Sequence, residues 1–147
     1  MREKIVNLSK DIKYKLELYA DHYHMDIEEA VNAALDSAIA LVYVVDDKYA
    51  PHVKAHTEAI DCTLRDMQEI VGGYIEVLEL YEYDLDPEIV LVVDEEGLLK
   101  QNPTSHLTVA PYGNIVGTCF FIRRDGLGNF CSLIDGDITA IDKAFNL

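Results

Sequence analysis

The longest uninterrupted apolar run in the chain covers residues 38–45 and is rich in β-branched side chains. Its eight residues are enough for a buried strand, whereas a helix that spans a bilayer needs about 20 apolar residues. The charged triplet Asp46-Asp47-Lys48 ends the run. The run therefore predicts a strand in the core of a water-soluble protein, with no membrane partner.

The segment before this run has a different period. Residues 4–9 alternate as in a short strand, and residues 12–23 carry apolar side chains at spacings of three and four, as in an amphipathic helix. Asp26 is placed to cap a second helix, with Glu29 three positions later. A strand and two short helices bury little surface alone. Residues 1–38 must therefore pack on the rest of the chain or on a second copy.

This strand-helix-helix pattern resembles the ribbon-helix-helix family of DNA-binding repressors over about the first 37 residues. The resemblance implies a homodimer whose paired strands read the major groove, with Arg2, Lys4 and Asn7 as the DNA-binding residues. Glu3 and Ile5 would also point outward, and neither suits base edges beside phosphates. The match to the dimerising scaffold is therefore better than the match to DNA reading.

From residue 39 onward the patterns predict an α+β domain, residues 39–147, with a mostly antiparallel sheet and two helices. Residues 53–60 are expected to pair back on the apolar run. Thr63 should cap the first helix, and Gly72 should end it. Gly97 is expected to adopt positive φ in a turn, and residues 98–99 to start a return strand. Residues 102–114 should form a polar loop and residues 115–122 one buried strand, and residues 135–137 should cap a last helix that ends at Phe145.

The net charge of −15 opposes binding to a phosphate backbone, so DNA is a disfavoured partner. Between Glu76 and Glu96 lie nine acidic residues and no basic one. This stretch is either a solvated face or a surface that docks on a basic partner.

No motif of catalysis, cofactor binding or metal ligation is present, so we expect a non-enzyme with no cofactor and no metal. The three cysteines lack CxxC spacing and are expected to be reduced thiols in the cytoplasm. The His52–His56 and His22–His24 pairs are expected to be ordinary histidines.

Three strings in the second part of the chain carry a further resemblance: QEIVGGYIE at 68–76, DEEGLL at 94–99 and IVGT at 115–118. They resemble the family known as domain of unknown function 3846. The resemblance implies an origin in a phage or mobile element and no particular chemistry. At Ser105 and His106 this sequence departs from an Asn-Arg pair of that family, which removes a fixed positive charge.

Tyrosines near strand ends and the polar loop together suggest a ligand or partner surface, since Tyr is suited to interfaces. Its predicted residues are Tyr74, Glu76, Asn102, Ser105, His106 and Tyr112. The function expected is a non-catalytic, homodimeric accessory protein. It would bind and block or sequester a host protein or a small nucleotide-like signalling ligand. The alternative is a ribbon-helix-helix-type DNA-binding transcriptional regulator.

Overall fold

Helices and antiparallel strands segregate along the chain as expected for an α+β protein. The computed structural model describes residues 10–36, 39–46, 54–99 and 107–147. Within these ranges the helices are α1 Lys10–His22, α2 Ile27–Asp36, α3 Leu64–Val71 and α4 Asp137–Phe145. The strands are β1 Ile39–Asp46, β2 Lys54–Asp61, β3 Ile75–Glu79, β4 Ile89–Asp94, β5 Leu107–Val109, β6 Gly113–Ile115, β7 Cys119–Arg124 and β8 Phe130–Cys131.

The main sheet has the strand order β2-β1-β7-β4-β3, and every pairing in it is antiparallel. Phe121 at its centre is opposite Tyr43 of β1 and Leu91 of β4. The short strand β8 pairs with the end of β7, and β5 pairs with β6 in a separate hairpin. The predicted β1–β2 hairpin is confirmed over all eight residues of both strands.

Both faces of the sheet are covered, because successive side chains of a strand point to opposite faces. Phe120 faces α3, where Met67 and Val71 are buried against it. Phe121 faces α4 and the β5–β6 hairpin. The local signals for α3 are confirmed, since Thr63 accepts a hydrogen bond from the N–H of Asp66 and Gly72 adopts φ 80°.

The helices α1 and α2 pack on β2, where Leu16, Tyr19 and Val31 are buried with Ala59 of that strand. The expected cap of α2 is present, because Asp26 accepts a hydrogen bond from the N–H of Glu29 at 2.8 Å. The predicted strand of the ribbon-helix-helix resemblance lies outside the described residues. The apolar stripe of α1 thus finds its cover within the chain, and the homodimer stays a prediction.

The segment after β4 differs from expectation. Gly97–Leu99 forms a single 3₁₀ turn rather than the start of a return strand. Gly97 is not among the glycines with positive φ. A Cβ atom there would lie 2.8 Å from the carbonyl oxygen of Val116. This glycine therefore permits a close backbone approach and not an unusual backbone angle.

The expected polar loop and the strand predicted after it are also partly wrong. Residues 107–115 form the β5–β6 hairpin, whose Leu107 and Val109 are buried in the core. The predicted single strand over residues 115–122 is divided, because Gly117 with φ 85° separates β6 from β7.

A buried ion pair ties α4 to the centre of the sheet. Arg123 of β7 donates to both carboxylate oxygens of Asp137, at 2.6 and 2.8 Å. Both side chains are less than a tenth exposed. The Arg123 guanidinium also contacts the carboxylates of Asp86 and Glu88, at 3.3 and 3.4 Å. The first residue of α4 is thereby held on β7.

Candidate functional site

The end of α3 lies directly against the end of β4. Gly72 ends the helix by adopting φ 80°, and its N–H still donates to the carbonyl of Gln68 at 2.8 Å. A Cβ atom on Gly73 would lie 2.8 Å from a carboxylate oxygen of Asp94, so only glycine fits there without displacement. The expected role of Gly72, as the end of this helix, agrees with its geometry.

The turn after β4 is held by hydrogen bonds to the same region. Asp94 is buried and accepts a hydrogen bond from the N–H of Glu96 at 3.0 Å. The N–H of Glu95 donates to the carbonyl of Tyr74 at 2.9 Å. Together with the approach of Gly97 to Val116, these contacts bring the three strings 68–76, 94–99 and 115–118 to one end of the sheet.

A cavity of about 220 Å³ opens at this end, and we call it the acidic pocket. Its carboxylates are those of Glu76, Asp94 and Glu95, while Leu78 and Val93 provide an apolar floor. The rest of its wall comes from the β5–β6 hairpin, through Tyr112, Asn114 and Ile115. A cavity with this charge suits a cationic group.

Of the six residues predicted for the ligand or partner surface, the pocket brings together Glu76 and Tyr112. Tyr74 lies beside the pocket, and its side chain is 66 % exposed. Its backbone carbonyl accepts the hydrogen bond from the N–H of Glu95 that connects it to the pocket. The other three, and all three DNA-binding residues of the alternative, lie outside the described residues: Asn102, Ser105, His106, Arg2, Lys4 and Asn7.

Sequence reasoning missed three members of this pocket, Asp94, Glu95 and Asn114. The two carboxylates stood within the acidic stretch and within one of the three family strings, which was an available signal. Asn114 is the last residue of the polar loop assigned to this surface, but it was not singled out, because its position depends on the β5–β6 hairpin. There its side-chain oxygen accepts a hydrogen bond from Thr108 at 2.8 Å.

Tyr112 has a structural as well as a lining role. Its hydroxyl donates to the backbone carbonyl of Glu79 at 3.0 Å, and this bond links the hairpin to β3. The carboxylate of Glu79 lies on the other face of the sheet, where Arg124 donates to it at 2.9 Å. Glu76 and Glu79 therefore do not converge, as strand alternation predicts.

Arg123 and Arg124 lie at the other end of β4, where Arg123 is opposite Ile89, and both pair with carboxylates there. No Lys or Arg occurs between Arg65 and Lys100. Among the described residues, none forms an ion pair with Glu76 or Glu95. Glu76 and Glu95 thus present negative charge to the acidic pocket that the described residues do not neutralise.

A second group of titratable side chains lies at the opposite edge of the sheet. Glu58 of β2 contacts His22 of α1 at 3.3 Å and His56 at 2.8 Å. The hydrogen bond to Glu58 raises the pKa of His22, and the hydrogen bond from His22 lowers the pKa of Glu58. This group was not expected from the sequence, because it requires α1 to lie on β2.

Metal-site geometry is not found in the described part of the chain, where no three His, Cys, Asp or Glu side chains are arranged to hold an ion. The described helices also include none that is long and apolar enough to cross a membrane.

The profile of the family described as Domain of unknown function (DUF3846) matches residues 39–146. The chain belongs to this family. In this DUF3846 protein the match begins at β1 and ends one residue after α4, so it covers the whole sheet and leaves out α1 and α2. No curated protein and no solved structure matches it significantly.

Proposed function

We propose that this protein is a non-catalytic accessory protein of a phage or mobile element, which binds a host protein and blocks it. The observation that supports this most directly is the acidic pocket. There Glu76, Glu95 and Tyr112 converge from β3, the turn after β4 and the β5–β6 hairpin. Three separate segments place charge and an aromatic ring at one position, which is the composition of a site for a basic side chain.

The alternative occupant at this pocket, a small nucleotide-like ligand, is favoured less. The carboxylates of Glu76 and Glu95 repel phosphate groups. The pocket volume of about 220 Å³ is also below the roughly 300–1,000 Å³ that is usual for small-molecule sites. A single Lys or Arg side chain needs less room and complements the charge.

The neighbouring strand favours an extended partner. β3 pairs with β4 on one side, and no described strand pairs with its other side. A free strand edge offers N–H and C=O groups to a segment that adds to the sheet. The hydroxyl of Tyr112 occupies the carbonyl of Glu79 at the end of this edge. A basic segment aligned on β3 would therefore direct a cationic side chain into the acidic pocket.

Photo-crosslinking tests where the partner binds. A benzophenone amino acid replaces Tyr112, and the matched control carries it at Leu127, which is exposed in the β7–β8 turn. We expect the Tyr112 probe to capture one host protein through a Lys- or Arg-rich segment in cells of the source organism. Identical products from both probes, or capture through an acidic segment, would contradict the proposal.

Charge variants test the acidic pocket itself, by measuring how tightly each variant binds the captured host protein after that protein has been purified. Glu76→Gln/Glu95→Gln should weaken its binding roughly tenfold or more, with a shallower dependence on salt. The control Glu17→Gln/Asp84→Asn removes the same charge at exposed positions elsewhere. Equal losses in both double variants would show that only net charge matters.

The DNA-binding regulator remains the second candidate, because α1 and α2 lie where the ribbon-helix-helix resemblance predicts two helices. Selection of fragments of the source genome by the protein tests it. Loss of the selected sequence with Lys4→Ala/Asn7→Ala, but not with Lys143→Ala, would support this candidate. Failure to enrich any sequence would remove it.

A further inference from the structure

A second cavity in the described part of the chain is separate from the acidic pocket. It lies between α1 and the start of α4 and has a volume of about 380 Å³. We call it the α1–α4 cleft. Its floor is formed by Leu41 of β1 and Leu133, and its walls by Tyr14, Ile134 and Ile138. The volume lies within the range usual for small-molecule sites.

Two large apolar side chains are left exposed at this cleft. Ile134 is 59 % exposed and Tyr14 is 49 % exposed. Tyr14 does not move freely, because its hydroxyl shares a hydrogen bond of 2.7 Å with Thr57 of β2. A fixed apolar wall that faces water is a common feature of surfaces that bind a ligand or partner.

Lys15 provides the positive charge of the cleft. It is half-buried, and burial lowers its pKa. It forms no hydrogen bond or ion pair with any residue that the structure describes. A half-buried ammonium group with no carboxylate partner among the described residues is unusual in a chain with 27 acidic residues, since removing charge from water is costly unless the charge is paired.

The other polar groups of the cleft are engaged or face solvent. The hydroxyl of Ser132 accepts from the N–H of Leu41 at 2.8 Å and donates to the carbonyl of Leu133 at 2.9 Å. Asp135 is exposed and does not pair with Lys15. Lys15 is therefore the group that would select a ligand by charge.

We propose that the α1–α4 cleft binds a small amphipathic carboxylate, with the apolar part against Leu41, Leu133 and Ile138 and the carboxylate on the ammonium group of Lys15. One cation among apolar walls suits a monoanionic head group with an apolar body. A polyphosphate would require several donors. This site is independent of the acidic pocket, so it goes beyond the proposed function and does not rest on it.

Calorimetric titration with decanoate tests the proposal on the full chain. Decanol, which lacks the charge, and decyltrimethylammonium, which reverses it, are the matched probes. We expect one decanoate per chain, weaker binding of decanol and no binding of the cation. Absence of saturable decanoate binding, or equal affinity for decanoate and decanol, would overturn the proposal.

The variant Lys15→Met keeps the length of the side chain and removes its charge. It should weaken decanoate roughly tenfold or more and leave decanol unchanged. Lys13→Met on the same helix is the control and should change neither. Thr139→Phe, which narrows the cleft, should weaken both ligands, and its circular dichroism spectrum will confirm folding. Unchanged decanoate binding in Lys15→Met and Thr139→Phe would refute the site.

Discussion

The two edge strands of the sheet, β2 and β3, differ in what covers them. Along β2, α1 bonds to groups on both faces: Tyr14 with Thr57, Tyr19 with Asp61 and His22 with Glu58. Along the outer edge of β3, the hydroxyl of Tyr112 bonds to the carbonyl of Glu79, no described helix packs there as α1 does on β2, and the carboxylates of the acidic pocket lie beside it. An edge can thus be protected by packing or by carboxylates, and only the second kind leaves room for a partner.

The largest expected difference between the edges is in stability. Leu16→Ala removes a buried side chain between α1 and β2 and should lower the free energy of unfolding by about 2–4 kcal/mol. Val77→Ala, at a half-buried position of β3, should lower it by about 1 kcal/mol. Urea denaturation measures both, and equal losses would show that α1 does not stabilise its edge as described.

A glycine pair tests the close packing beside the acidic pocket. Gly73→Ala forces a Cβ atom against Asp94 and should lower the free energy of unfolding by about 1–3 kcal/mol. Gly126→Ala, at a position with no atom within 4 Å and no positive φ, is the control and should be neutral or slightly stabilising. If thermal denaturation gives the same midpoint for both variants, Asp94 is not held against Gly73.

Hydroxyl removal compares the tyrosines of the two edges. Tyr19→Phe deletes a bond of 2.9 Å between a buried tyrosine and Asp61 and should cost about 1–2 kcal/mol. Tyr112→Phe deletes a bond at an exposed position and should cost about 0.5 kcal/mol or less. A larger loss for Tyr112→Phe would mean that the β3 edge depends on the hairpin more than the β2 edge depends on α1.

The smallest expected effect is a pH dependence confined to the β2 edge. The raised pKa of His22 gives stability that is complete below 6.5 and lost as pH rises through its folded value. The lowered pKa of Glu58 gives stability that is complete above 4.5 and lost as pH falls through its folded value.

The His22–Glu58 contact should therefore stabilise most between pH 4.5 and 6.5. The double variant His22→Gln/Glu58→Gln, compared with wild type across this range by thermal denaturation, should lose this contribution. Identical pH profiles would show that the pair has no net effect.

Local signals predicted much of the fold. Thr63, Gly72 and Asp26 act through hydrogen bonds or backbone angles within a few residues, so the sequence around each was sufficient. Residues 98–99 were misjudged because two apolar residues fit a strand or a turn equally well, and the contact that decides, between Gly97 and Val116, is distant in sequence.

The candidate sites were predictable only in part, for the same reason. Glu76 and Tyr112 stood out by composition, but their meeting depends on the hairpin packing over β3. Nothing in the sequence marked Lys15 as a binding residue, since any lysine on an amphipathic helix is expected to reach solvent. Its half-buried position follows from the docking of α1 on β2, which residue spacing within the helix does not determine.

The position of β7 has a consequence for the order of assembly. The hairpins β1–β2 and β3–β4 are each local, yet they share no neighbour except β7, which follows β4 by 25 residues and lies between them. During synthesis both hairpins leave the ribosome before β7 does. Until then β1 and β4 each lack the neighbour that they share in the sheet. We therefore expect the sheet to be completed in one late step, in which β7 joins the two halves of the core.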